Sequence, residues 1–140
     1  MKWLGKFPDP FLAEIAGQPD ALRRAADALQ EQRPTFEALA DRAAKASGTV
    51  FTGMGSSYDA CYPAVNGLAA GGILAAHVDT AELLHFRSPV LSPSTVLVVV
   101  SQSGESAEVV RLAESLARRP DRPTLVSITN GLDNGLAERA

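Results

Sequence analysis

The sequence predicts an α/β protein with a parallel sheet, preceded by an N-terminal helical segment. Residues 1–47 are rich in Ala, Leu, Glu and Arg without a β-branched cluster, whereas from Gly48 onward β-branched runs alternate with Gly and Ser punctuation. That alternation repeats as strand, turn and helix, the pattern of βαβ units. The run 95–101 (TVLVVVS) is apolar and β-branched almost throughout, as a strand covered by helices on both faces requires. We therefore divide the chain into a helical lead-in, 1–47, and an α/β domain, 48–140.

In the lead-in, Asp9-Pro10 starts a short helix through Phe11, Leu12 and Ile15, which Gly17 and Pro19 are expected to break. Pro19 then opens a second helix, with Leu22, Ala25, Ala26 and Leu29 at helical spacing. Pro34 ends it and opens a third, lined by Phe36, Leu39, Ala40 and Ala43 as far as Ser47-Gly48. In the domain, strands are expected at 49–53, 75–80, 95–101 and 123–129, with 95–101 central. Helices are expected from about Tyr58 to Gly71, over 105–119, and from about Asn134. The sequence shows no internal repeat or flexible interdomain linker.

Composition narrows the function. With 140 residues, 46% of them hydrophobic and 21% charged, the chain can bury a core. A net charge of −3 offers no basic surface to nucleic acid or an anionic membrane. The single cysteine, Cys61, excludes an internal disulfide and fits a reducing compartment. The opening MKWLGKFPDPF reaches a proline before any apolar run of signal-peptide length, and no stretch approaches the roughly 20 apolar residues of a membrane span. The expected setting is cytoplasmic, with neither membrane nor nucleic acid as partner.

In open parallel sheets ligands sit beyond the carboxyl ends of the strands. Three such ends stand out: Gly53-Met54-Gly55-Ser56-Ser57, Ser101-Gln102-Ser103-Gly104-Glu105-Ser106 and Thr129-Asn130-Gly131. The second is the strongest, with three hydroxyls and an amide around one glycine between a buried strand and an amphipathic helix. Backbone N–H groups at a helix start lack intrahelical partners, and Gly104 lets successive N–H groups converge on an anion. Ser101, Ser103 and Ser106 can each donate a hydroxyl to a phosphate oxygen. Glu105 and Glu108 must then point aside. The plainer alternative is that Ser103 caps the helix while the two glutamates complement its dipole.

The first loop begins like a dinucleotide fingerprint, with Asp79 or Glu82 as the later acid, but Tyr58 stands where the third glycine should be. A nucleotide-phosphate loop fails outright, since there is no Gly-Lys-Ser/Thr and no lysine after Lys45. Cys61 reads as a buried small side chain rather than a nucleophile. His77 and His85 lack companions at ligand spacing, so no metal is expected, and no cofactor. Arg118, Arg119 and Arg122 read as a solvated face near a helix end.

Three segments together, EIAGQPDAL (14–22), GMGSSYDA (53–60) and SQSGESAE (101–108), resemble the sugar isomerase (SIS) domain family. Within it the closest likeness is to the first SIS domain in the isomerase half of glutamine–fructose-6-phosphate aminotransferase and related deglycases and deaminases. The resemblance implies a flavodoxin-like three-layer sandwich that binds a phosphorylated sugar, a hexose or aminohexose 6-phosphate. By position, Ser57 matches the first-loop phosphate serine, and Ser101, Gln102, Ser103 and Ser106 match the second-loop ligands. Gly55 and Ser56 match the turn into the first helix, and Gly104 supports the second loop. Glu82 lies one residue away from the family's acidic position and is not assigned.

Catalytic residues are unknown. The family's isomerisation relies on a glutamate and a histidine from a second SIS domain and on a distant C-terminal lysine, so the acid–base groups are expected from that second domain or another subunit. Lys2 follows Met1 where the family's glutaminase carries cysteine, so no glutaminase is expected. The sequence stops at GLAERA, before the domain's usual last strand, which leaves an open sheet edge and an expected homo-oligomer. A non-catalytic sugar-phosphate sensor or partner-binding subunit is the alternative, with dinucleotide binding behind it.

Overall fold

The computed structural model describes residues 9–140. The chain forms two units, residues 1–40 and 41–140, each described by itself. In the first, α1 runs over Pro10–Glu31, and α2, Arg33–Lys45, begins after a one-residue break and continues into the second. Asp9 caps α1, its side chain accepting from the Phe11 N–H at 3.0 Å, and Pro10 occupies a first-turn position where no N–H is needed.

The expected break at Gly17 and Pro19 is not there: α1 passes through both without interruption. Pro19 has no N–H for the carbonyl of Ile15, but strong helix formers on both sides, among them Leu12, Ala13, Glu14, Ala21, Leu22 and Arg23, carry the helix across one missing bond.

The second unit is built on a four-stranded parallel sheet of β1 (Gly48–Gly53), β2 (Ala75–His77), β3 (Thr95–Val100) and β4 (Thr124–Ile128), in the order β2-β1-β3-β4. β3 is an inner strand, as expected, and every residue from Thr95 to Val99 is buried. Side chains of β1 and β3 alternate between two cores. On one face Val50, Leu97 and Val99 pack with Val109, Leu112, Ala113 and Leu116 of α6 (Ala107–Ala117), together with Leu83, Leu91 and Leu136. On the other, Phe51, Val96 and Val98 pack with Cys61 and with Val65 and Leu68 of α4 (Tyr62–Ala70). The result is the three-layer, flavodoxin-like arrangement.

Several elements differ from expectation. The helix expected from Tyr58 is split into α3, Ser56–Asp59, and α4, because Pro63 has no N–H to offer the Asp59 carbonyl. The second strand ends at His77 rather than at 80. There Asp79 accepts from the N–H groups of Ala81 (2.8 Å) and Glu82 (3.4 Å), starting the short helix α5, Thr80–Glu82. A π turn over Leu83–Arg87 and a 3-10 turn over Ser88–Val90 occupy a stretch that reads as irregular in sequence. The final helix reduces to a 3-10 turn, Ala137–Arg139.

Arg119 is also more than solvated surface. It donates to the carbonyls of Ser88 (3.2 Å) and Leu91 (2.8 Å) and pairs with Asp121 at 3.1 Å. The Arg119 hydrogen bond holds the Asp121 carboxyl below its ordinary range. Among the described residues no helix is long and apolar enough to cross a membrane.

Leu97 is fully buried at the centre of the α6-side core. Leu97→Ala should cost about 2–5 kcal/mol in urea unfolding, by lost transfer energy and the cavity left behind.

Candidate functional site

Register brings three loops to one edge. Gly53 pairs with Val100, and Val100 with Ile128, so β1, β3 and β4 end level and release their chains side by side. Between them opens a cleft of about 290 Å³, lined by Ser56, Ser57 and Ala60 from α3 and the residue after it, Val100 and Gln102 from the second loop, and Ile128, Thr129 and Asn130 from the third. A larger hollow of about 350 Å³ lies where β4 begins, lined by Arg42, Arg122, Thr124 and Arg139 among others. Two of its arginines are engaged locally, Arg42 with Thr124 and Arg139 with Glu114, and none of the three strand-end loops reaches it.

Of the residues singled out in the sequence, Ser56, Ser57 and Gln102 line the cleft directly. Gly55 precedes α3, its carbonyl accepting from the N–H groups of Tyr58 and Asp59 at 3.0 and 3.2 Å. Ser101 is buried and braces the second loop, its Oγ accepting from the Gly104 N–H at 3.2 Å. Ser103 Oγ accepts from the Glu105 N–H at 3.1 Å and stands outside the helix. The cap position belongs to Ser106, whose hydroxyl makes no capping bond. The reading in which Ser103 caps α6 therefore does not hold. An accepting hydroxyl keeps its own O–H to donate, so these serines remain available as donors.

Glu105 points aside: its Oε1 accepts from the Gly135 N–H, 30 residues away, at 2.6 Å. This bond belongs to a clasp between the second and third loops. Ser101 N donates to Ile128 O (3.0 Å), Asn130 N to Gln102 O (3.1 Å) and Leu136 N to Gly104 O (3.0 Å).

Gly104 has φ +69°, and a Cβ there would run into the side chain of Asn134. Asn134 is buried, with Nδ2 donating to the Gly131 carbonyl at 2.6 Å and Oδ1 accepting from the Ala137 N–H at 2.9 Å. Sequence reasoning does not single out Thr129, Asn130 or Asn134 as ligands. The strand-end rule marks the first two, but nothing local marks the long-range role of Asn134.

At the first loop, a Cβ on Gly53 would meet the backbone of Ser57, Tyr58 and Val100 at 2.8–2.9 Å, so the loop folds tightly over β1 only because this position is bare. Cys61 is buried beneath it, its Sγ 3.2 Å from the Ser57 carbonyl, and burial pushes its thiol up. The thiol thus stays protonated as a weak donor.

The cleft lining offers hydroxyl, amide and backbone donors but no carboxylate or imidazole. That suits holding an anion and supplies no proton-transfer group. Among the described residues no group of three or more His, Cys, Asp or Glu could hold a metal ion.

This architecture, strand-end serine loops around a cleft on a parallel sheet, defines an α/β ligand-site protein. More particularly, the chain belongs to the SIS domain family, whose sequence profile matches residues 44–140. No curated protein matches it.

Solved structures share the fold. One, from Escherichia coli CFT073 and in complex with a sugar phosphate, superposes with a TM-score of 0.73 at 20% identity, covering 96% of this chain and 72% of that one. The tagatose-6-phosphate ketose/aldose isomerase of Escherichia coli gives 0.77 at 22% identity, covering 91% and 36%. The C-terminal domain of glucosamine-fructose-6-phosphate aminotransferase from Francisella tularensis gives 0.60 at 19%, covering 71% and 28%. Another such structure, from Listeria monocytogenes, is spanned over 52% of its length.

Two outcomes follow. Gly104→Ala should lower stability by about 1–3 kcal/mol in chemical denaturation, from the strained backbone and the displaced Asn134. Cys61 should resist iodoacetamide at about neutral pH in the native protein and react readily in urea, read by mass spectrometry. Fast native labelling would contradict its burial as a neutral thiol.

Proposed function

We propose that the chain binds a phosphorylated sugar, a hexose or aminohexose 6-phosphate, in the cleft at the carboxyl ends of β1, β3 and β4. The observation that carries this reading is the convergence of Ser56, Ser57 and Gln102 on one cleft, beside a second loop whose only near carboxylate, Glu105, is turned away onto Gly135. Phosphate oxygens accept from serine hydroxyls and from the free N–H groups that open α6, whose dipole favours negative charge. Ser57, Ser101, Gln102, Ser103 and Ser106 are the proposed phosphate ligands, with Gly55, Ser56 and Gly104 shaping their loops. The serines and Gln102 supply neutral donors, so a chain of net charge −3 can hold an anion locally.

The names of the solved relatives support the substrate class: one is a sugar-phosphate isomerase of the ketose/aldose type, another a hexosamine-forming aminotransferase domain. In our reading the chain acts as a first SIS domain, 48–140 behind a helical lead-in, and supplies the phosphate clamp. A phosphate held away from the reacting carbons orients an opened sugar for proton transfer between C1 and C2. The acid and base for that transfer come from a second SIS domain or another subunit, since no proton-transfer group lines this cleft.

The test is calorimetry or thermal shift with glucosamine 6-phosphate, fructose 6-phosphate and unphosphorylated glucosamine. Only the phosphorylated sugars should stabilise the protein, and equal shifts from all three would sink the clamp. Ser103→Ala with Ser106→Ala should weaken binding by a few kcal/mol in total, at about 1.5–3 per hydrogen bond to a charged group.

A further inference from the structure

His77 is absorbed by no part of the proposed clamp, yet it is tied to the loop that carries Ser56 and Ser57. It ends β2, paired with Phe51, so its side chain lies on the same face of the sheet as α3. Its Nε2 is 2.6 Å from the Tyr58 carbonyl, and its ring stacks on the Tyr58 ring with centroids 3.7 Å apart and planes 15° from parallel. A carbonyl oxygen only accepts, so Nε2 carries the proton in this bond.

The turn it grips needs such a tie. α3 has four residues, far below the length at which a helix holds itself together. Its two successive carbonyls at the Ser57–Tyr58 step are both bound by side chains from elsewhere: that of Ser57 by Cys61 Sγ at 3.2 Å, that of Tyr58 by His77. Cys61 belongs to the same local turn, whereas His77 reaches across from an edge strand 19 residues on. His77 is therefore the long-range anchor that sets the orientation of the peptide planes from which the Ser57 side chain projects toward the cleft.

We infer that His77 is a positioning residue for the first loop: its N–H to the Tyr58 carbonyl holds Ser56 and Ser57 in place to meet the sugar phosphate. The second half of this inference rests on the proposed clamp, while the tie itself does not.

Two substitutions separate the bond from the stacking. His77→Phe keeps a flat ring against Tyr58 and loses the N–H; His77→Gln keeps an N–H donor and loses the ring. Without ligand, amide hydrogen exchange at Ser57–Asp59 should speed up about tenfold in His77→Phe, as for one lost hydrogen bond, and stay near wild type in His77→Gln. The dissociation constant for glucosamine 6-phosphate should rise about tenfold in His77→Phe and be largely restored in His77→Gln, with the melting temperature of both close to wild type.

Unchanged loop exchange in His77→Phe, or equal loosening in both variants, overturns the tie. Altered exchange with unchanged affinity overturns the positioning role and leaves the clamp standing. A wild-type protein that ignores glucosamine 6-phosphate removes the clamp, while the ligand-free exchange still decides the tie.

Discussion

The parallel register of β1, β3 and β4 is the constraint on which everything at the carboxyl edge depends. A shift of one residue in either pairing would move Ser101 or Thr129 about 3.3 Å along the strand and turn its side chain to the other face. Burial prevents that slip. Thr95 to Val99 are buried on both faces, so any other register would expose Leu97 or Val99 and place a neighbour against the wrong core. The ladder also outlasts the strands: Ser101 donates to Ile128 and Asn130 to Gln102, extending the register into the loops themselves. The second and third loops are thus set by the same interaction that orders the sheet.

The clasp beyond the strands resolves an electrostatic difficulty. A loop meant for an anion carries Glu105 in its middle, which in isolation would repel a phosphate. Its carboxylate instead accepts from the Gly135 N–H, a charge-assisted bond stronger than a neutral one. One side chain both removes a repulsive charge and anchors the third loop. Gly104 and Asn134 complete the arrangement, because the left-handed turn at Gly104 leaves the space that the Asn134 side chain fills. The donors of Ser103 and Ser106 are then presented from a loop held on two sides, which lowers the ordering cost of any ligand that uses them.

Much of this is legible in the sequence, and what is not has physical reasons. The βαβ alternation, the inner position of 95–100 and the strand ends can be read directly, because β-branched runs and Gly-Ser punctuation are local signals. The prolines mislead. Pro19 looks like a breaker, but one missing hydrogen bond within 22 residues of good helix formers is absorbed. Pro63, inside an expected helix, does interrupt, since the turn before it is only four residues long and its carbonyls at Ser57 and Tyr58 are already bound elsewhere. Asn134, Arg119 and His77 act at a distance in sequence, His77 across 19 residues and Arg119 across 31, on partners that no local pattern reveals.

The cleft's donor-only lining also bears on how such a domain divides its labour. A carboxylate poised for proton transfer would have to sit within hydrogen-bond reach of the reacting carbons, and beside a phosphate it would be repelled and its pKa raised. Separating the two demands keeps each group in its proper charge state: neutral hydroxyls and backbone N–H groups hold the phosphate, and ionisable groups approach from the far end of the sugar. The distance between those ends, several ångströms along an extended hexose, weakens their mutual repulsion. A site built this way gains nothing from a lysine of its own, because a fixed positive charge would perturb the incoming acid and base as well as attract the phosphate. The absence of lysine after position 45 is therefore consistent with a clamp made of dipoles and hydroxyls, whose strength rests on how rigidly the three loops are held.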